Sequence, residues 1–352
     1  MLEREYQIRT NQTGNARRVH NLLKEMTKKL NRRCSQSGIP FTSPESRCFL
    51  IEDIPENYRK GLSLNDNTSR IAQLEEMLAE IANSRVGNVE LKKVLTELVK
   101  KYLFRLRFPD HATDIVEPGH YFFKGNAGTG KTTSLDFMAD VLFRLGLVKD
   151  PKPIRLSASH LVGQYLGETA VQTRQLLEQS LGRVIMIDEA YALTDKNDRA
   201  GSYKQDAVNE IVAKLDDETF RRTTCVVFAG YDGDMDQLYL TNQGLQSRVT
   251  EISFPDFTHA ECVQILLSML AERKAPIQEE ALELCSQQIT VLRSRSGFSN
   301  GRTIRNYANV LISCREQRML SATDQEATEE SFPMIQPRDI PENNTLLRQL
   351  NL

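Results

Sequence analysis

The chain has 352 residues and a mass of 40.1 kDa, enough to bury a sizeable core and to build two or three compact units. Hydrophobic residues make up 40% and charged residues 26%, and the net charge of −2 gives no global argument for a nucleic-acid or membrane partner. The six cysteines form no Cys-x-x-Cys pair, the opening MLEREYQIRTNQ has no apolar core, and no run of about 18 apolar residues occurs. A soluble, cytoplasmic protein without a zinc cluster, a disulfide framework or an export signal is therefore expected.

Residues 1–60 are more basic than the rest. From about Ala16 to Leu30, the residues Val19, Leu22, Leu23, Met26 and Leu30 recur at helical spacing with basic residues between them. This predicts an amphipathic helix with a solvated basic face; aromatic stacking residues, which a nucleic-acid surface would use, are missing from it. The stretch Gly14-Asn15-Ala16-Arg17 is echoed by Ser299-Asn300-Gly301-Arg302, and Asp53-Ile54-Pro55-Glu56-Asn57 recurs as Asp339-Ile340-Pro341-Glu342-Asn343. Arg17 to Asp53 spans 36 positions and Arg302 to Asp339 spans 37, which predicts an internal repeat. The first 60 residues then read as the tail end of one module ahead of a complete second one, the C-terminal part of a tandem protein.

A helix capped by Asn65 or Asp66 is marked by Ile71, Leu74, Met77, Leu78 and Ile81, and another follows Gly87 with Leu91, Val94, Leu95, Leu98 and Tyr102. Asp110 to Gly119 reads as a loop, with His111 and His120 as exposed loop residues rather than metal ligands. A short apolar run, Tyr121 to Phe123, then leads into Gly125, Asn126, Ala127, Gly128, Thr129, Gly130, Lys131 and Thr132, followed by Thr133. This fits G-x-x-x-x-G-K-[ST] at every position. Glycines let successive backbone N–H groups turn inward around phosphate oxygens, and the next helix points its positive end at the same anion. Lys131 is expected to reach the β- and γ-phosphates and the Thr132 hydroxyl to ligate Mg²⁺. The stretch implies a nucleoside triphosphate site.

The following helix carries Leu135, Phe137, Met138, Val141, Leu142 and Leu145 and stops at Gly146. After Pro151 and Pro153 comes a short strand, Ile154 to Leu156, then a Tyr165-Leu166 pair between Gly163 and Gly167, ahead of a helix marked by Val171, Leu176 and Leu177. Val184 to Ile187 is an apolar run ended by Asp188 and Glu189, the pattern of a strand buried on both faces of a parallel sheet. Beside a phosphate loop, Asp188 can serve the Mg²⁺ shell and Glu189 can polarise the attacking water. A helix from about Tyr203 to Leu215 and strands at Thr224–Ala229 and Val249–Phe254 complete an α/β domain. Beyond Pro255 only helices are predicted: one capped by Thr258 and Glu261, then 278–291 and 303–317, with 321–331 a polar surface segment.

The order of GNAGTGKT (125–132), QYLGE (164–168), VIMIDEA (184–190), VVFAGYD (226–232), GLQSR (244–248) and NGRTIRN (300–306) resembles the AAA+ ATPases. It is most like the CbbX/SpoVK-type branch, which includes red-type rubisco activase. The resemblance implies an α/β P-loop NTPase fold, with a parallel-sheet nucleotide-binding domain at 64–255, a helical lid domain and tail at 256–352, and a lid-like remnant of a preceding module at 1–63. It further implies ATP and Mg²⁺ as cofactors and a hexameric ring with ATP between subunits. Arg248 would be the arginine finger, Arg302 the sensor-2 arginine, and Val86 and Gly87 the adenine contacts. Tyr165, Leu166 and Gly167 would be a pore loop gripping a client polypeptide. After the fourth strand, where AAA+ proteins often carry Asn, this sequence has Gly230-Tyr231-Asp232, which leaves open the residue that orients water. The expected activity is ATP-driven protein remodelling; a nucleotide-gated regulatory or scaffold module with slow hydrolysis is the alternative. No membrane partner is expected, and a nucleic-acid motor has only the basic start of the chain in its favour.

Overall fold

The computed structural model describes residues 15–36, 53–55, 66–84, 88–111, 115–163, 168–194, 201–241, 243–321 and 333–352. Two compact units form, one from Met1–Glu80 and Val99–Thr113, the other from Ile81–Leu98 and Asp114–Leu352. In the first, α1 (Asn15–Gln36) extends the predicted helix at its C-terminal end and buries Leu22, Met26, Leu30 and Cys34 along one face. Arg33, near its end, pairs with Asp53: Nη2 lies 3.0 Å from Oδ2 and Nε 3.2 Å from Oδ1, with the carboxylate only 1% exposed. The chain continues through α2 (Asp66–Asn83), with Leu74, Met77 and Ile81 buried, and α3 (Val89–Arg107), whose residues are divided between the two units at Glu80 and Val99.

The second unit contains a five-stranded parallel sheet in the order β2-β3-β4-β1-β5. Its strands are β1 (Tyr121–Gly125), β2 (Ile154–Ser157), β3 (Val184–Asp188), β4 (Cys225–Gly230) and β5 (Thr250–Phe254). Between them run α4 (Lys131–Leu145), α5 (Glu168–Gln179), α6 (Gly201–Leu215), α7 (Glu218–Thr223) and α8 (Asp232–Thr241). The near-continuous apolar runs of β1, β3 and β4 are buried as a parallel sheet demands, and Phe122 stacks on Phe228 across neighbouring strands with ring centroids 5.0 Å apart. The one charge in β1, Lys124, is 6% exposed and survives there because two carboxylates, Asp236 at 2.6 Å and Glu251 at 2.9 Å, neutralise it. The crossover from β1 leaves over β4 and β3 to reach β2. The chain therefore changes direction beside β1, the place where a parallel sheet opens a crevice at its carboxyl edge.

Beyond the sheet, α9 (His259–Glu272), α10 (Glu279–Arg293) and α11 (Gly301–Ser321) share a core that includes Cys262, Leu266, Cys285, Ile289, Ile304 and Tyr307. The predicted capping box forms at Thr258 and Glu261. A last helix, α12 (Asn343–Leu350), was not predicted; at this length it is held by burying Leu346 rather than by propensity. Arg318 lies 2.7 Å from Asp339, which is 2% exposed, and these residues stand to Arg302 as Arg33 and Asp53 stand to Arg17. A buried Arg–Asp pair thus stands at matching places in the two stretches, across 20 positions in one and 21 in the other.

His120 corrects the sequence reading. It is 5% exposed, not a surface loop residue, because its Nδ1 accepts the Val226 N–H at 3.2 Å and its ring packs near Phe220. Burial, then the nearby Arg221 charge, pushes its pKa down to about 4 from an ordinary 6.5. The folded state thus resists the proton that the unfolded chain accepts, so this contribution to stability is complete above pH 6.5 and is lost as pH falls to 4. Its full size is roughly 3 kcal/mol. Thermal melts of the wild type and of His120→Gln across pH 7 to 4 should diverge, with the wild type losing more stability on acidification; parallel curves would exclude the effect.

Candidate active site

β1 and β3 end, and α4 and α11 begin, at one edge of the sheet, and these four elements place Lys131, Asp188, Glu189 and Arg302 there. β1 closes at Gly125, in register with Phe254 of β5, and a Cβ at this position would lie 2.2 Å from the Phe254 carbonyl oxygen. The loop then turns through Gly128 at φ +75°, where a Cβ would meet the Ser299 carbonyl oxygen at 2.1 Å. Only glycine lets the backbone pass there. Thr129 is buried and its hydroxyl donates to the Asn126 carbonyl at 2.8 Å, which fixes the turn from inside.

Lys131 opens α4. Its ammonium donates to the carbonyls of Gly125 (2.7 Å) and Asn126 (2.9 Å) and lies 5.8 Å from the centroid of the Tyr231 ring. Desolvation lowers its pKa; the charges of Asp188 and Asp232 oppose that shift and Arg302 adds to it. A partly desolvated cation answered only by loop carbonyls and moderate acid charges is set to accept an anion, since an arriving phosphate would favour its charged form. Thr132 and Thr133 are exposed on the first turn of the same helix.

Asp188 ends β3 with its side chain exposed, and its Oδ1 accepts the N–H of Glu189 at 3.0 Å. Glu189 itself adopts φ +52°, ψ +39°, left-handed geometry that costs a non-glycine residue on the order of 1 kcal/mol. The strained residue after an apolar strand is the one the sequence marked as water activator. Tyr191 follows, its ring 6.1 Å from that of Tyr231, and burial followed by the Glu189 charge raises its pKa.

Arg302 lies exposed in the first turn of α11 and is near enough for its charge to act on Lys131. Arg248, just before β5, is held differently. Nε and Nη2 grip Asp216 at 2.7 Å each, and Nη1 reaches the Gly244 carbonyl at 2.7 Å and Ser247 Oγ at 3.1 Å. The pair holds the Asp216 carboxyl below its ordinary range, chiefly through the Arg248 hydrogen bonds. Val86, Gly87, Tyr165, Leu166 and Gly167 lie outside the described residues.

Comparison with known proteins agrees with this fold. Residues 121–255 match the family described as ATPases associated with various cellular activities (AAA), and residues 258–349 match an AAA lid domain. A CfxQ homologue from Guillardia theta is 35% identical over 76% of this chain and 91% of its own length. The chain belongs to the AAA ATPase family. Protein CfxQ of Xanthobacter flavus is 34% identical, over 67% of this chain and 74% of that one. A chloroplastic ribulose bisphosphate carboxylase/oxygenase activase from Cyanidioschyzon merolae is 32% identical, over 76% and 91%. These relatives place this AAA ATPase in the CbbX-like branch, and family membership supports ATP hydrolysis as its activity.

Within an AAA ATPase the structure assembles Lys131, Asp188, Arg302 and the loop from Gly125 to Thr133 around one edge. It also brings in residues that the sequence reading did not select as site residues. Tyr231 and Asp232, left open as water-orienting candidates, both lie at Lys131: the ring within 5.8 Å, the carboxylate through its charge. Asp216, the partner of Arg248, has no local signature, being one of two adjacent aspartates after α6. Asn88 caps α3 by accepting the Leu91 N–H at 2.7 Å and donates to the Ser253 carbonyl of β5.

Proposed function

We propose that this AAA ATPase hydrolyses Mg²⁺-bound ATP at the interfaces of a hexameric ring and uses the cycle to draw a client polypeptide through the central pore. The observation that carries the catalytic half is the convergence at one sheet edge of a glycine-shaped loop, a desolvated Lys131, and the adjacent acids Asp188 and Glu189. A hydroxyl and a carboxylate oxygen suit a hard divalent cation, so Thr132 and Asp188 would hold Mg²⁺, which would draw charge from the phosphate oxygens. The loop amides and Lys131 bind and orient the phosphates; Glu189 accepts a proton from the attacking water.

Arg302 contacts the phosphates from within the subunit, and Arg248 contributes from a neighbour. Val86 and Gly87 pack the adenine. Residues 64–255 then form the nucleotide-binding domain and 256–352 the lid and tail. Residues 1–63 are a lid-like half module, a reading supported by the matched Arg33–Asp53 and Arg318–Asp339 pairs.

The pore half rests on Tyr165, Leu166 and Gly167 and is tested separately. An unfolded polypeptide such as casein should stimulate ATP turnover of the wild type several-fold, about the effect that a few kcal/mol of coupling allows. Tyr165→Ala should bring that stimulation ratio to one, whatever its basal rate. Equal stimulation of both proteins would remove threading and leave a nucleotide-gated assembly.

A further inference from the structure

Asn300 is 1% exposed and sits at φ +48° immediately before α11. Asparagine tolerates that left-handed geometry better than most residues, and glycine would satisfy it as well. Its side chain does more than tolerate it. Oδ1 accepts the Phe257 N–H at 2.9 Å; Nδ2 donates to Asp256 Oδ1 at 2.7 Å and to the Ala127 carbonyl at 3.4 Å.

Asp256 and Phe257 form the short connection from β5 to α9, the link between sheet and lid. Asn126 of the phosphate loop donates to the same Asp256 Oδ1 at 3.0 Å, and the Gly301 N–H donates to the Gly128 carbonyl at 3.0 Å. One buried amide therefore ties together the loop, the hinge and the first turn of α11, two residues ahead of Arg302. At Gly128 the contact is close enough to leave no room for a methyl group.

We propose that Asn300, through Asp256 and Asn126, is the joint by which an occupied phosphate loop sets the angle of the lid and so positions Arg302. This rests on the reading of residues 125–133 as the nucleotide site. A nucleotide that reshapes the loop must move Asn126 and the Ala127 carbonyl, and neither can move without pulling on the carboxylate and amide that fix the hinge. Asn300 is a positioning residue: it acts on the phosphates only through Arg302.

Asn300→Gly separates the backbone requirement from the amide, because glycine keeps the positive φ without strain. Hydrogen exchange of residues 257–262 and 299–305 would be followed with and without ADP, alongside ADP affinity, kcat and KM for ATP. In the wild type ADP should slow exchange in both segments. In Asn300→Gly, ADP should bind within about 3-fold of wild type yet protect neither segment, and kcat should fall about 10-fold with little change in KM, as expected when a catalytic arginine is misplaced.

Asp256→Ala, at an exposed position, removes the shared acceptor and should lose the protection in the same way. Asn300→Asp alone sets two carboxylates against each other, and adding Asp256→Asn restores a donor and an acceptor across the joint; the double variant should regain protection that the single one lacks. Wild-type protection and kcat in both Asn300→Gly and Asp256→Ala would overturn the joint while leaving the nucleotide site standing. A wild type that binds no nucleotide would overturn the site itself and the joint with it.

Discussion

Replacing Arg248 by Ala should lower ATP turnover by roughly 10³-fold while leaving ATP binding nearly intact, because a finger acts on charge that develops only in the transition state. The structure sets a condition on this. Of the five N–H groups of a guanidinium, Asp216 takes two and Gly244 with Ser247 takes the two on Nη1, so one is left for a phosphate oxygen. In the single chain Arg248 is therefore almost fully engaged, and a finger role in trans would require a neighbour's phosphate to compete with Asp216 for it. Turnover per subunit should rise with protein concentration in the wild type for that reason.

The decisive version mixes Arg248→Ala with Glu189→Gln. Each should be nearly inactive alone; if a site takes Glu189 from one subunit and Arg248 from the next, about a quarter of the sites in an equal random mixture are complete. Recovery of activity toward that fraction places the finger in trans. A mixture as inactive as its components, or an Arg248→Ala protein as active as the wild type, would sink the assignment.

Glu189→Gln should cut turnover by about 10²- to 10⁴-fold, the usual contribution of a positioned general base, and should hold ATP without consuming it. Gln keeps the size and the αL backbone of Glu189, so the melting behaviour without nucleotide should stay close to wild type, within about 0.5 kcal/mol. Glu189→Gly gives the informative contrast: it relieves the left-handed strain and should stabilise the chain while removing the base. A Gln variant that still turned over ATP at the wild-type rate would transfer the water-activating role elsewhere, with Asp232 a carboxylate to consider, since its charge also acts on Lys131.

These residues show where sequence stops and packing begins. The places of the glycine loop, Asp188 and Glu189 were legible because they are encoded in neighbours: glycines at fixed spacing before Lys131, and an apolar strand that must end in water. The strands of the parallel sheet were legible for the same reason, since a strand buried on both faces needs a continuous apolar run, and only its order had to wait for the fold. The expected repeat rests on matched spacing between Arg17 and Asp53 and between Arg302 and Asp339. The arginines that pair with the two aspartates, Arg33 and Arg318, were not visible, because one arginine on a basic helix looks like the next until a buried carboxylate selects it.

What the sequence by itself determined is the local chemistry: an anion cradle, adjacent acids at a strand end, and helices whose apolar faces require a core. Tertiary structure alone decided which distant groups share that chemistry. Tyr231 reaches Lys131 across 100 positions, Asp216 meets Arg248 across 32, and Asn300 meets Ala127 across 173. His120 follows the same rule: a polar residue at the end of a loop reads as exposed until the backbone N–H of Val226, 106 positions away, gives it a reason to be buried. Contacts at such separations are formed by chain folding and charge pairing, and no periodicity along the chain records them.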